Sequence, residues 1–330
     1  MRPHLLRTTS CLLLATGLTL SACSTPETPS MHDTQDAQPV TWPLPPGAVL
    51  EQAGSVTPDP IEDDALPHGS LAPDNATPAD RVPTIVDRGY VLVGVNQSQN
   101  LLSFRDPVTG QLQGFEVDIA REIARDIFGD PDRVEFRYVD ASDFQEALDT
   151  GRVDMVLRSM SITAARQQHM AFSAPYLATS KQLLALTQSG VDSVRDLNGR
   201  TVCVANMSTA LDRARQVATG ANIIKVRNWA DCLVALQQHQ ADAILADDAI
   251  LAGIAAQDPY ATLVGNNLSR ENYGVVFPLP AEKPAAAGGI RQVNYTLARI
   301  SRDGTWQKIY NRWLGPYQVS AGPPPPVYDN

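Results

Sequence analysis

Gly151-Arg152-Val153-Asp154-Met155-Val156-Leu157-Arg158-Ser159-Met160-Ser161-Ile162-Thr163-Ala164-Ala165-Arg166, with Phe172-Ser173-Ala174-Pro175-Tyr176 close behind, is the stretch on which the fold turns. Val153 to Leu157 is a short apolar strand that runs into a polar turn with hydroxyls at Ser159, Ser161 and Thr163. A helix follows, with Arg166 in its first turn. Unpaired backbone N–H groups at a helix start, neighbouring hydroxyls and one guanidinium together seat a carboxylate. The plainer reading is a strand–turn–helix in which Thr163 only caps the helix.

Outward from this stretch, strand and helix periods alternate. Tyr90 to Val95 is an apolar strand, and Phe115, Ile119, Ile123 and Ile127 form a helical stripe ended by Gly129. Val134 to Val139 alternates as a strand, and Ala147 to Val156 repeats the helix–strand step. After Lys181 to Leu186 a second series begins: Val202, a helix around Leu211, Ile223-Ile224, a helix from Trp229 to Leu236, and Ala243 to Leu245. Tyr273 to Phe277 is a last strand, followed by a helix from about Ile290 to Ile300. Asp303-Gly304 turns the chain, and Thr305 is expected to cap a final helix through Trp313. Such alternation argues an α/β fold. The stretch from Arg81 onward is long enough for two lobes with cores of their own. The apolar stripes, Trp229 among them, are read as core.

The N-terminus reads as a targeting segment. Arg2, His4 and Arg7 precede an apolar run from Cys11 to Leu20, too short to span a bilayer as a mature helix. Leu20-Ser21-Ala22-Cys23 matches the lipobox of exported bacterial lipoproteins, in which cleavage precedes the Cys and the Cys carries the lipid. Residues 1–22 are thus expected to be a signal peptide, with Cys23 anchoring the chain on the extracytoplasmic face of the cell membrane. A secretory signal with a chance Cys and an uncleaved anchor are the alternatives. Residues 24–80 hold no Lys or Arg, ten acids and many Pro, Ser and Thr residues. Such a composition cannot bury enough apolar surface to offset ordering, so 23–80 is expected to be a disordered tether, and the tail from about Gly315, with Pro323 to Pro326, a second loose end. The formal charge of −10 belongs to the tether; from Arg81 onward 24 Lys and Arg face 26 Asp and Glu. The acidity therefore says nothing of the ligand, and no nucleic-acid partner is expected. With Cys11 removed and Cys23 lipidated, Cys203 and Cys232 remain in an exported chain. A disulfide is the natural reading, with two separately buried thiols the alternative; two sulfurs without companions at ligand spacing do not make a metal site.

The motifs together resemble one family. Val153-Asp154 through Ile162-Thr163, Arg166 and Phe172-Ser173-Ala174-Pro175-Tyr176 resemble the signature of the bacterial extracellular solute-binding proteins of family 3. Gly114-Phe115-Glu116-Val117-Asp118, Val194 to Val202, Asp242-Ala243-Ile244-Leu245-Ala246-Asp247 and Asp303-Gly304-Thr305 through Trp313 resemble further family motifs, in order along the body. Asn228-Trp229-Ala230-Asp231-Cys232, with Cys203, is most similar to the actinobacterial glutamine/glutamate-binding lipoproteins. The resemblance implies a two-lobed periplasmic-binding-protein fold of type II, its lobes joined by two hinge strands around a ligand cleft. Residues 81–179 and 274–330 would form one lobe and 180–273 the other. It implies a monomer that binds a polar amino acid for an ABC transporter permease, needs no cofactor, and closes by a hinge motion. A ligand-sensing subunit of a membrane receptor is the alternative role.

The resemblance also assigns the site. Arg166 and Ser161, with Ser159 and Thr163, would take the α-carboxylate, and Asp247 in the opposite lobe the α-ammonium, with Asp248 a competitor. Asn96 would line the loop after the first strand, which lacks the family's frequent aromatic residue. Ser208 and Thr209 would line a turn in which Asn206 replaces a basic anchor. Phe144 packs over the ligand or belongs to the core. Arg158 stands where glutamine binders carry a small residue; a cation there favours glutamate or aspartate over glutamine and asparagine, unless it is spent on Asp143. An enzyme is not expected: His169 and His239 sit in no nucleophile or metal constellation and no phosphate loop is present. Dehydratases sharing this fold are the surviving rival.

Overall fold

The computed structural model describes residues 43–58 and 68–329. They form two α/β lobes, each built around its own sheet. The first sheet has five strands in the order Val134–Tyr138, Val91–Val95, Met155–Leu157, Val276–Phe277, Ala171–Phe172. Val91–Val95 runs parallel to both neighbours and is buried throughout, which is why it reads as an unbroken apolar run. The second sheet has six strands in the order Val49–Glu51, Asn222–Val226, Thr201–Ala205, Ala243–Asp247, Leu177–Leu186, Ala261–Tyr273. Its last two strands are long and antiparallel, from Leu177 opposite Tyr273 to Leu186 opposite Ala261. Their ends continue into the first lobe, where Tyr176 and Ser173 donate backbone hydrogen bonds to Tyr273 and Val275. These are the two crossings.

The apolar stripe Phe115, Ile119, Ile123, Ile127 is the buried face of the helix Phe115–Phe128. Gly114 precedes it at φ 133, and a Cβ there would meet the Leu102 carbonyl oxygen at 2.2 Å, so only glycine fits. Phe115 meets Trp306 and Tyr310 edge-on, and the Trp306 indole N–H donates to the Tyr176 carbonyl at 2.7 Å. The C-terminal helix Thr305–Trp313, which follows the helix Ala285–Arg302, is thereby tied to the start of one crossing. The cap expected at Thr305 differs. Thr305 is the first helical residue, and its own amide is taken by the Asp303 carboxylate at 2.9 Å. Cys203 and Cys232 are bonded, with Cα atoms 5.5 Å apart.

The tether expectation fails wherever its residues are described; residues 1–42, with Cys23, and 59–67 lie outside them. Val49–Glu51 adds an antiparallel edge strand to the second sheet. Val49 and Leu50 stay 56% and 43% exposed, so burial of apolar surface does not hold this strand. It is held by ladder hydrogen bonds to an existing sheet edge and by Glu51, whose carboxylate meets Arg215 at 2.7 Å and Lys225 at 2.9 Å. Composition sets only what the segment can bury alone, not what it gains on an existing sheet edge. Ser70–Leu71 likewise pairs with Tyr328–Asp329, so the far end of the expected loose tail is pinned. Asn294 fixes the first strand of that pair by donating to the Ser70 hydroxyl and the Leu71 carbonyl.

The Arg215 and Lys225 hydrogen bonds and charges outweigh burial and hold the Glu51 carboxyl at about 2, down from 4.5. A depressed carboxyl stabilises the fold fully above its unfolded value and loses that contribution as pH falls toward the folded one. Docking of the edge strand should therefore weaken between about pH 4.5 and 2. The whole shift is worth no more than about 3 kcal/mol. Glu51→Gln should remove this pH dependence, read as faster amide exchange of residues 49–51 at neutral pH. Unchanged protection would mean that the ladder alone holds the strand.

Candidate functional site

A cleft of about 490 Å³ opens between the lobes. Its walls are the loops that follow parallel strands: Asn96 after Val95, Arg158 and Ser159 after Leu157, Asn206 to Ser208 after Ala205, and Arg227 to Trp229 after Val226. Ligand sites of open α/β sheets gather at strand carboxyl ends, where loops from several strands converge. A larger cavity of about 650 Å³ lies in the first lobe, but its arginines are already matched, Arg88 by Asp154 and Arg81 and Arg291 by Asp74, and Lys283 donates to the Leu148 carbonyl. The interlobe cleft is the better site because it holds a guanidinium with an unbonded Nε and draws on both lobes.

That guanidinium is Arg158. Its Nε is buried without a hydrogen-bond partner. Burial pulls it below the usual arginine value, opposed by the charges of Asp140 and Glu116. Asp143, the expected salt-bridge partner, is taken by Arg152 at 2.8 Å. Behind Arg158, Glu116 accepts from the Tyr176 hydroxyl and the Ser159 amide, both at 2.6 Å. Burial pushes its carboxyl up. Ser159 is held at φ 55, uncommon for serine, so this turn carries backbone strain of the kind found at ligand clamps.

Arg166 lies on the short helix Ala164–Gln167 and lines the cleft. It donates to the Ser161 carbonyl at 2.9 Å and, across the cleft, to the Met207 carbonyl at 3.3 Å. The Ser161 and Thr209 hydroxyls also meet across the lobes at 3.4 Å. Burial lowers the Arg166 guanidinium, and Glu271 and Asp247 oppose that shift.

Other expected site residues are occupied differently. The Thr163 hydroxyl accepts the Arg166 amide and the Ser208 hydroxyl accepts the Leu211 amide, so both are spent on helix caps. The Ser159 hydroxyl turns to Glu116 and its amide is not free. The Asn96 oxygen accepts from Ser98. Phe144 lines the cleft. Asp247 is only 5% exposed and is not among the lining residues. Its two oxygens are taken by Lys181 at 3.1 Å and the Tyr273 hydroxyl at 2.6 Å, and Lys181 is shared with Glu271 at 2.7 Å. Asp248 accepts from the Thr179 hydroxyl, and burial raises its carboxyl.

Sequence reasoning missed Lys181, Glu271, Tyr273, Glu116, Arg227 and the cleft-facing side of Trp229. Lys181 did leave a trace, since it is the one charged residue of the strand Leu177–Leu186. Among the described residues no group of His, Cys, Asp and Glu could hold a metal ion. No helix there is long and apolar enough to cross a membrane.

The glutamine-binding protein of Geobacillus stearothermophilus is 33% identical over 208 residues, 63% of this chain and 79% of that protein. The glutamate-binding protein GluB of Corynebacterium glutamicum is 28% identical over 242 residues, 70% of this chain and 80% of its own. A solved structure of an ancestral arginine-binding protein bound to glutamine superposes with a TM-score of 0.61 at 30% identity, covering 69% of this chain and 99% of that one. These likenesses and the two lobes hinged by two strands identify the fold as the type II fold of periplasmic binding proteins. Residues 91–316 match the profile of the bacterial extracellular solute-binding proteins, family 3, and the chain belongs to that family.

Proposed function

We propose that the chain is a lipid-anchored extracytoplasmic receptor that binds glutamate or aspartate, with glutamine and asparagine weaker, for uptake by an ABC transporter. Arg158, whose Nε is buried beside the cleft without a hydrogen-bond partner, carries this reading. A buried cation without a partner is costly, and a side-chain carboxylate on the ligand would supply the missing one. Arg166 would take the α-carboxylate. The α-ammonium would go to the acidic group Asp247–Glu271, with Lys181 moving toward Glu271 to make room. A ligand held by both lobes favours the closed state because it binds that state more tightly. The lobes would divide near 179/180 and 273/274, within the two crossing strands. The anchor reading rests on the lipobox before Cys23.

Calorimetric titration with the twenty amino acids tests the ligand class. Arg158→Ala should weaken glutamate and aspartate by about 1–3 kcal/mol, roughly ten- to a hundredfold, and glutamine much less. Equal weakening of all three would make Arg158 structural. A wild type that prefers glutamine would overturn the acidic assignment.

A further inference from the structure

The distal end of the cleft holds a second guanidinium that comes from the other lobe. Arg227 follows the strand Asn222–Val226, lines the cleft opposite Arg158, and is 62% exposed. Among the described residues it pairs with one acid, Asp140 of the first lobe, in a single contact at 3.4 Å. Asp140 is satisfied without it, by the Ser142 amide at 3.2 Å and the Tyr138 hydroxyl at 3.2 Å. Asp231, on the same rim, is spent on the Asn228 amide. Exposed pairs with one long contact contribute little, so Arg227 can exchange Asp140 for another carboxylate at small cost. Arg158 and Arg227 thus both approach Asp140, and Arg227 brings a second, exposed cation to the distal end of the cleft.

Arg227 is also buttressed. The N-terminal turn Pro45 to Ala48, closed by the Ala48 amide on the Pro45 carbonyl at 2.9 Å, lies on its stem. Gly47 sits at φ +75, and a Cβ there would stand 3.1 Å from the Arg227 Cδ. The Pro43 carbonyl accepts from Gln240 at 3.0 Å, which pins the segment to the second lobe. A long side chain held along its stem loses less rotamer freedom when its head group binds.

We infer that Arg227, propped by the Pro45–Ala48 turn, is a second specificity-determining residue that joins Arg158 on the ligand's side-chain carboxylate as the lobes close. This assignment rests on the proposed preference for acidic ligands. It gives residues 43–58 a part in binding that neither composition nor family resemblance suggests.

The test titrates the full chain with L-glutamate and L-glutamine, as wild type, Arg227→Gln, Arg227→Lys and Gly47→Ala. Arg227→Gln should weaken L-glutamate about tenfold and L-glutamine less than about twofold, since one charge–charge contact at a protein surface is lost. Arg227→Lys should fall between, because the charge remains without the planar fork. Gly47→Ala should weaken L-glutamate in the same direction by displacing the stem. Arg227 is exposed, so its variants should fold, and matching thermal transitions verify that. If wild type prefers L-glutamate and Arg227→Gln keeps that preference, only the Arg227 assignment is overturned. If wild type binds L-glutamine as tightly as L-glutamate, the acidic-ligand reading falls and this assignment with it.

Discussion

Arg166→Ala should abolish most ligand binding while leaving the fold in place. A micromolar complex is worth about 8 kcal/mol, and truncating one partner of a desolvated charge pair costs roughly 2–5 kcal/mol. The dissociation constant for the preferred amino acid should therefore rise at least about thirtyfold. Stability should change little, because Arg166 donates to two backbone carbonyls, Ser161 and Met207, and among the described residues no salt-bridge partner is left behind by its loss. Titration calorimetry beside a thermal melt separates the two effects. A less than tenfold loss would move the α-carboxylate away from Arg166, with Arg158 the next candidate.

Removing the Cys203–Cys232 bond should give the largest loss of stability. The two residues are 29 apart in sequence and both are fully buried. Closing a loop of that length is worth about 3–4 kcal/mol in the chain-entropy picture. For a chain of this size that corresponds to a lower melting temperature of roughly 5–7 °C. The double variant Cys203→Ala, Cys232→Ala tests it without leaving a buried hydroxyl. Ligand affinity should fall too. Cys203 lies two residues before the cleft-lining Ala205, and Cys232 is one turn into the helix that starts at the cleft-lining Trp229. The bond thus fixes the wall of the second lobe. An unchanged melting temperature in the double variant would sink this account.

Arg166, Arg158 and Phe144 are legible as candidate cleft residues because each stands beside a strong local signal: a strand end, a polar turn or a helix start. All three reach the cleft. The hydroxyls of Thr163 and Ser208 were read with the ligand, yet they cap helices. Capping and ligand binding ask for the same residue types at the same helix position, so sequence cannot separate them. Asp247 was legible as a strand-end acid. That its oxygens are held by Lys181 and Tyr273 depends on two strands separated by most of the second lobe.

What the chain determines by itself is everything carried by short-range periodicity: α/β alternation, the apolar stripe from Phe115 to Ile127, and the polar turn after Leu157. Helices and strands bury one face each, so their residues must repeat at the matching period. The placement of residues 43–58 and 68–80 was decided only by the tertiary structure. Their composition forbids a core of their own, but Glu51, Ser70 and Gly47 do not need one. They dock on a sheet edge, a paired tail and an arginine stem that other parts of the chain had already built. Long-range hydrogen bonds and ion pairs leave no period in the sequence, and both the edge strand and the second guanidinium of the cleft depend on them.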